Sequence, residues 1–435
     1  MSARAGIVVT GTEVLTGRVS DRNGPWLAER LRELGVDVAH TAIVGDRPQD
    51  MRAALDFMAG QELDIVLTSG GLGPTADDLT AEVVGDFQGR TMVLDEALAE
   101  RIATIVAPLL KRWPNIDPEA IKEANRKQAT IPEGSTVLEP VGTAPGLVVA
   151  PAGANGGPTV VVLPGPPREL QPMFGDAVRS GALDGALSDA STIHQRTMRL
   201  FGIPESEIAE TLRIAERNGL DLSRLEVTTC LKRGEVEVVT RYDPSEEALY
   251  VRFTAAVAER HSDTLFSTDG KTIDEQVADL LRGDGLSSVL TIGTAESCTG
   301  GLLAARLTEL PGASDYMRGA VVAYADEIKR AELGVPAETI ERHGAVSMEV
   351  AQALAVGVCG RLGVDVGVGI TGIAGPDGGT EEKPVGLVWL SVALRGKEAL
   401  TRSVNLPGGR ADIRDRATTV ALHLVRRALL GEPVI

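Results

Sequence analysis

Asp64-Ile65-Val66-Leu67-Thr68-Ser69-Gly70-Gly71-Leu72-Gly73-Pro74 joins a short apolar run to a turn dense in glycine. A run of that length closed by Gly and Pro has the pattern of a buried strand. Upstream the same unit repeats. Gly6-Ile7-Val8-Val9-Thr10 reads as a strand, and Pro25 to Leu34 as a helix with Trp26, Leu27, Leu31 and Leu34 at three- and four-residue spacing. Val36 to Val44 follows as a strand, Gln49 to Met58 as a helix, and Asp77 to Phe87 as a helix after the glycine turn. Strands alternating with helices predict a doubly wound parallel sheet. Ligands of such sheets sit at the carboxyl ends of the strands, where Gly11-Thr12-Glu13 and Gly70 to Pro74 fall.

The block closes near Val160-Val161-Val162-Leu163-Pro164. From about residue 175 the order changes to strand, helix, hairpin and helix: Gln195 to Leu200, Pro204 to Ala215, Glu226 to Leu231 with Glu235 to Tyr242, then Glu246 to Glu259. This predicts a small α+β module. A second α/β domain begins with a helix over Ile273 to Leu281 and a strand over Val289 to Ile292, and ends in a long helix, Ile413 to Leu430. The resulting domain boundaries are 1–172, 173–265 and 266–435.

Composition agrees with globular α/β domains. Of 435 residues 43% are hydrophobic but only 3% aromatic, so the core rests on Val, Leu, Ile and Ala. The net charge of −18 argues against direct binding to nucleic acid or to anionic membranes. Anionic small molecules stay open, because glycine turns and helix N-termini bind them without net positive charge. No stretch reaches 18 apolar residues, so no membrane span is expected. Met1 to Gly6 leads straight into a strand-like run, so no targeting segment is expected. Cys230, Cys298 and Cys359 are odd in number and far apart, which fits a reducing cytoplasm and offers no zinc site. The histidines show no metal-ligand spacing.

Three clusters carry chemistry. Ala295-Glu296-Ser297-Cys298-Thr299-Gly300-Gly301 joins a strand to a helix, which places Ser297 at a helix N-terminus either as a nucleophile beside an oxyanion site or as a plain cap. Cys298 is the rival nucleophile. Tyr324 and Lys329 lie beyond the next strand; a lysine can replace histidine as the base for a serine, with tyrosine relaying the proton, or it can be a solvated surface residue. Thr371-Gly372-Ile373-Ala374-Gly375-Pro376-Asp377-Gly378-Gly379 follows a buried strand and suits close approach to a phosphate or a simple turn. Arg410 and Arg414 start the last helix as a phosphate fork or a solvated face. In the first domain, Asp77 and Asp78 follow Gly70, Gly71 and Gly73; the pair suits a divalent metal such as magnesium against a pyrophosphate, or helix capping.

On these residues, with Asn125-Arg126-Lys127-Gln128-Ala129 and Gly142-Thr143-Ala144-Pro145-Gly146, the chain resembles the competence/damage-inducible CinA family over its whole length. The resemblance implies a molybdopterin-binding-like N-terminal domain with metal-dependent ADP-ribose pyrophosphatase activity, a KH-like middle module and a C-terminal nicotinamide-nucleotide amidase domain without a cofactor. It implies Ser297, Tyr324 and Lys329 as catalytic residues. Thr299, Gly300, Gly301, Thr371, Gly372, Ala374, Gly375, Gly378, Gly379, Arg410 and Arg414 are the expected mononucleotide-binding positions. Gly70, Gly71, Gly73, Glu13 and Lys127 are the expected ADP-ribose positions, with Asp77 and Asp78 on the metal. A homodimer is the expected assembly. The chain departs from the family at Tyr324-Ala325-Asp326, where the family often has Tyr-Ser-Asn, and at Gly408-Gly409-Arg410 in place of Gly-Asp-Arg. The middle module lacks a GxxG loop, since Gly202-Ile203-Pro204-Glu205 ends in Glu, and residues 171–270 carry a net charge of −6. That predicts a spacer or dimer element rather than an RNA binder. The alternative function is a non-catalytic nucleotide binder acting in competence or DNA repair through partners.

Overall fold

The computed structural model describes residues 3–110, 117–153, 157–190, 192–285 and 288–433. It forms two compact units, 1–194 and 195–435.

The first unit is built on a sheet of β1 (Arg4–Thr10), β2 (Asp37–Val44), β3 (Ile65–Ser69), β6 (Thr136–Leu138), β7 (Gly146–Val149) and β8 (Thr159–Leu163), in the order β2-β1-β3-β8-β7-β6. Short β4 (Met92–Leu94) and β5 (Thr130–Pro132) pair separately. β1 pairs in parallel with β2 and β3, and β3 with β8. β7 and β6 add antiparallel, so the sheet is mixed rather than wholly parallel. Alternation along the strands separates two cores. Ile7, Val9, Leu67, Val161 and Leu163 pack on one face, with the helices Asn23–Glu33 and Pro167–Arg179. Val8, Val66, Val160 and Val162 pack on the other, with Pro48–Ala59 and Thr80–Phe87. Both faces are covered, which is why β3 reads as an unbroken apolar run.

Two differences from the sequence reading bear on the site. The helix expected from Asp77 starts at Thr80, because Asp77 and Asp78 fold back onto Thr75 instead. Neither aspartate is the helix cap, which is Leu79.

The second unit holds two sheets. β9 (His194–Phe201), β10 (Glu226–Lys232), β11 (Glu235–Tyr242) and β12 (Leu265–Ser267) are ordered β10-β11-β9-β12. They share a core with the helices Glu205–Arg217 and Glu247–Arg260 through Met198, Ile208, Val236 and Phe253. The five-stranded sheet comprises β13 (Ile292–Glu296), β14 (Met317–Val322), β15 (Val366–Gly372), β16 (Leu387–Leu394) and β17 (Leu400–Asn405), in the order β14-β13-β15-β16-β17. β14, β13 and β15 run parallel; β16 and β17 are antiparallel. The C-terminal helix Arg410–Leu430 packs on this sheet with Ile273–Leu281. β13 begins where the expected strand ended, three residues later than Val289. Buried Thr294 and Glu296 interrupt the apolar pattern that the sequence reading followed.

Candidate functional site

The carboxyl ends of β1, β2, β3 and β8 enclose a cleft of about 380 Å³ in the first unit. Glu13, Gly70, Gly71, Gly73, Asp77 and Asp78 line it, as the sequence reading expects. The turn after β3 is held by the chain itself. Gly70 N–H donates to the Leu163 carbonyl, and Thr80 Oγ1 donates to that of Gly70. Gly70 and Gly71 have φ of 107° and 67°. A Cβ would lie 2.6 Å from Thr10 O at the first and 2.1 Å from Thr80 Oγ1 at the second. Close packing of the protein on itself thus requires glycine at both positions.

Thr75 gathers the two aspartates: its hydroxyl lies 2.5 Å from Asp77 Oδ1 and from Asp78 Oδ2, and its N–H donates to Asp78 Oδ2 at 2.9 Å. The Thr75 hydroxyl, then the backbone amide of Asp77 and the charge of Lys127, hold the Asp77 carboxyl below the usual carboxylate range. Lys127 does not line the cleft. Its ammonium donates to the Thr75 carbonyl, and it borders a separate depression with Glu119, Lys122 and Arg126. Sequence reasoning missed Thr10, Asp46, Gln128, Thr143 and Glu169. Asp46 caps the loop after β1, accepting from Thr10 Oγ1 and Thr12 N–H. It follows the end of β2 just as Glu13 follows β1, and that strand-end position is the signal that could have found it. Gln128 and Thr143 lie inside segments already singled out.

Five carboxylates line the cleft, and no lysine or arginine is among its described lining residues. Asp77 and Asp78 offer hard oxygen donors of the kind magnesium takes, one or two at a time, with phosphate and water completing its shell. No group of three metal-ligating side chains stands among the described residues.

In the second unit, three adjacent parallel strands bring the other clusters to one sheet edge. Glu296 pairs with Val322 and with Ile370 in register. Ser297 N–H donates to the Ile370 carbonyl at 2.9 Å, and Ala323 N–H to that of Glu296 at 2.8 Å. Ser297 therefore sits between the residues that lead into Tyr324 and those that lead into the glycine-rich loop.

The local chemistry departs from expectation in four ways. First, the helix after Ser297 starts at Leu302, with Gly301 as its cap in the left-handed region. Its N-terminus is satisfied by Glu296, whose fully buried carboxylate accepts from Gly301, Leu303 and Ala304 N–H groups. Gly300 N–H donates to the Ser297 carbonyl. The amides of Gly300 and Gly301 are thus engaged within the chain rather than open to an oxyanion. Thr299 is fully buried, and its Oγ1 has no hydrogen-bond partner among the described residues.

Second, Lys329 is neither in a loop nor solvated. It lies on the helix Asp326–Leu333 and is 1% exposed. Its Nζ donates to Asp326 Oδ1 at 2.9 Å and to the Tyr324 carbonyl at 3.2 Å. Third, the Tyr324 hydroxyl, on a 60% exposed side chain, accepts from Arg410 at 3.1 Å. Among the described residues no hydrogen bond joins Ser297 Oγ to Tyr324 or Lys329. Fourth, Arg410 and Arg414 are loop tethers. Arg410 donates to the Gly375 carbonyl, and Arg414 to those of Cys298 and Thr299.

Thr371 and Gly372 end β15 rather than start the loop, and the Thr371 hydroxyl donates to the Ala345 carbonyl. Ala374 is buried, whereas Gly378 and Gly379 are exposed. Lys383 fixes the far side of the loop through the His343 and Val346 carbonyls. His343 Nδ1 faces Glu349 at 3.3 Å and is not paired with Ser297. Burial, and then the charge of Glu296, push the Cys298 thiol up to about 12. It is not a thiolate near neutral pH, which removes it as rival nucleophile.

Two units, each with glycine-containing loops at the carboxyl edge of a mixed sheet, define a protein of the mixed α/β class. Residues 6–182 match the model of a probable molybdopterin binding domain, and residues 271–429 that of the CinA C-terminal domain. A CinA-like protein of Mycolicibacterium vanbaalenii is 57% identical over 99% of this chain and 100% of its own length. One of Mycobacterium tuberculosis is 55% identical over 100% of this chain and 99% of its own. A CinA superfamily protein of Klebsiella pneumoniae, solved by crystallography, is 34% identical and covers 37% of this chain and 96% of its own, with a TM-score of 0.34. The chain belongs to the family of CinA-like proteins.

Proposed function

We propose that the chain is a bifunctional hydrolase of pyridine nucleotides: the second unit converts nicotinamide mononucleotide to the acid and ammonia, and the first cleaves ADP-ribose to AMP and ribose 5-phosphate. The observation that carries the amidase reading is the convergence of Ser297, the Tyr324–Arg410 contact and the glycine-rich loop on one edge, beside a lysine closed off from water. A lysine buried at such an edge has a use beyond solubility, since lysine is among the side chains least often fully buried.

Ser297 Oγ attacks the carboxamide carbon. Lys329 relays the serine proton to the departing nitrogen as the C–N bond breaks, and water hydrolyses the resulting ester to the carboxylate. Asp326 and the Tyr324 carbonyl fix Lys329 on one side, so Tyr324 orients it through its backbone while its hydroxyl meets the ligand side with Arg410. In the first unit Asp77 and Asp78 would hold a divalent cation, which when bound offsets the charge of the pyrophosphate. Glu13 and Asp46 stand at neighbouring strand ends, and Glu13, the one not engaged by Thr10 and Thr12, is placed to take a proton from the attacking water.

The amidase assignment is tested by ammonia release from nicotinamide mononucleotide. Wild type turns over, Ser297→Ala and Lys329→Met lose at least about a hundredfold, and the mononucleotide still binds. Full activity in Ser297→Ala sinks the assignment.

A further inference from the structure

A cavity of about 440 Å³ lies in the second unit, walled by Phe201, by Arg233 of the β10–β11 turn, by Arg402 of β17, and by Arg416, His423 and Arg427 of the C-terminal helix. Four guanidinium groups around one cavity are unexpected in a chain of net charge −18.

The nearby carboxylates are already taken. Asp415 lies 3.4 Å from Arg233, Glu235 lies 2.7 Å from His423 Nε2, and Glu432 lies 3.0 Å from Arg426 and 4.0 Å from Arg427. Arg427 also donates to the Asp263 and Pro433 carbonyls. Arg402 and Arg416 have neither an ion pair nor a hydrogen bond among the described residues, although both are half-buried. Burial, and then the charge of Arg427, push the Arg402 guanidinium below its usual range. A partly desolvated cation facing another cation is unfavourable unless an anion completes it.

We propose that this cavity binds a small phosphorylated molecule whose dianion is held between Arg402 and Arg416. Guanidinium forks match phosphate oxygens in pairs, and the aliphatic side chains of Val404, Val420 and Leu424 leave an apolar wall for the rest of the ligand. The site is distinct from the edge at Ser297. Arg410 and Arg414 serve that edge, whereas Arg416, two residues on, points to a different face of the helix. The inference stands whether or not the proposed hydrolase activities are correct.

Calorimetric titration of the full chain with AMP, in EDTA to silence any metal-dependent site, tests it. A binding event is expected that weakens at least about tenfold in R402Q and again in R416Q, because each variant loses charge-assisted hydrogen bonds. Without ligand both variants should melt at the same temperature as wild type or higher, since each removes an unpaired cation. That result separates lost binding from lost folding. The proposal is overturned if wild type shows no AMP binding, or if binding is unchanged in both variants. It is also overturned if only a single-stranded oligonucleotide, and not AMP, responds to the substitutions.

Discussion

Cys298 stands next to Ser297 in sequence, yet the two differ in what they can do at neutral pH. The thiol is 5% exposed and pushed up to about 12, first by burial and then by Glu296. A thiol with that value stays protonated at pH 8, so it reacts neither as a nucleophile nor with alkylating reagents. Mass spectrometry after iodoacetamide treatment of the native chain should find exposed Cys230 modified and Cys298 intact. Cys298→Ala should keep amidase turnover. Rapid alkylation of Cys298 in the folded chain would contradict the burial argument. Asp326 shows the reverse case, a residue whose importance only its partner reveals: it supplies the carboxylate for buried Lys329 where the family often has Asn.

At the scale of one element, the helix beginning at Leu302 depends on a side chain five residues upstream of its cap. Glu296 accepts three of its N-terminal amides inside the protein. A carboxylate there also suits the positive end of the helix dipole. Glu296→Ala would leave those donors unpaired and is expected to lower unfolding free energy by about 3–5 kcal/mol. A urea titration measures this, and an effect below about 1 kcal/mol would show that water replaces the carboxylate without cost. The histidines of the second unit give a pH signature. Burial lowers the pKa of His423 and of His261 from the ordinary value near 6.5. Both are therefore neutral when folded and take up protons on unfolding below about pH 6.5. Their contribution to stability is complete above that pH and is lost as pH falls. The urea midpoint should drop between pH 7 and pH 5, and His261→Gln, which can still meet Thr211, should flatten the curve. An unchanged slope in that variant would assign the effect elsewhere.

For the whole molecule, the two candidate sites lie in separately packed units with separate cores. Asp78→Asn should abolish ADP-ribose cleavage and leave deamidation of the mononucleotide within about twofold, because sites in separately packed units without shared partners act additively. Loss of both activities together would point to misfolding. EDTA should have the same selectivity. Five carboxylates line the cleft of the first unit, so on the proposed function a pyrophosphate would enter it only with a cation. ADP-ribose binding that survives EDTA would show that the cleft uses another device. No helix among the described residues is long and apolar enough to cross a membrane, in keeping with the hydropathy of the sequence.

Much of this was legible in the chain itself. Periodicity placed β1, β2, β3, β10, β11 and the helices Asn23–Glu33, Pro48–Ala59 and Glu205–Arg217, because burial on one or both faces writes directly into the order of apolar residues, whereas the helices Glu96–Leu110, Pro118–Gln128 and Pro167–Arg179 were not read from it. Glycine turns at strand ends marked both edges, since only those loops can face the crevices of such sheets. What periodicity could not show was set by contacts distant in sequence. The antiparallel strands β6 and β7 are too short to carry a pattern. β13 was displaced by three residues because its buried Thr294 and Glu296 are polar; the helix amides satisfy Glu296, and Glu296 in turn accepts from the Thr294 hydroxyl. Sequence spacing put Lys329 near Ser297 but not under Asp326, and left Arg410 and Arg414 as a phosphate fork or a solvated face where tertiary structure ties both to loop carbonyls. Of the four arginines of the second-unit cavity, Arg233 lies more than 160 residues before Arg402, Arg416 and Arg427 in the chain. Residue type and local order determined the elements and the loops that bear function; which polar groups meet there was decided by tertiary structure, because a buried charge is placed by its partner rather than by its neighbours in sequence.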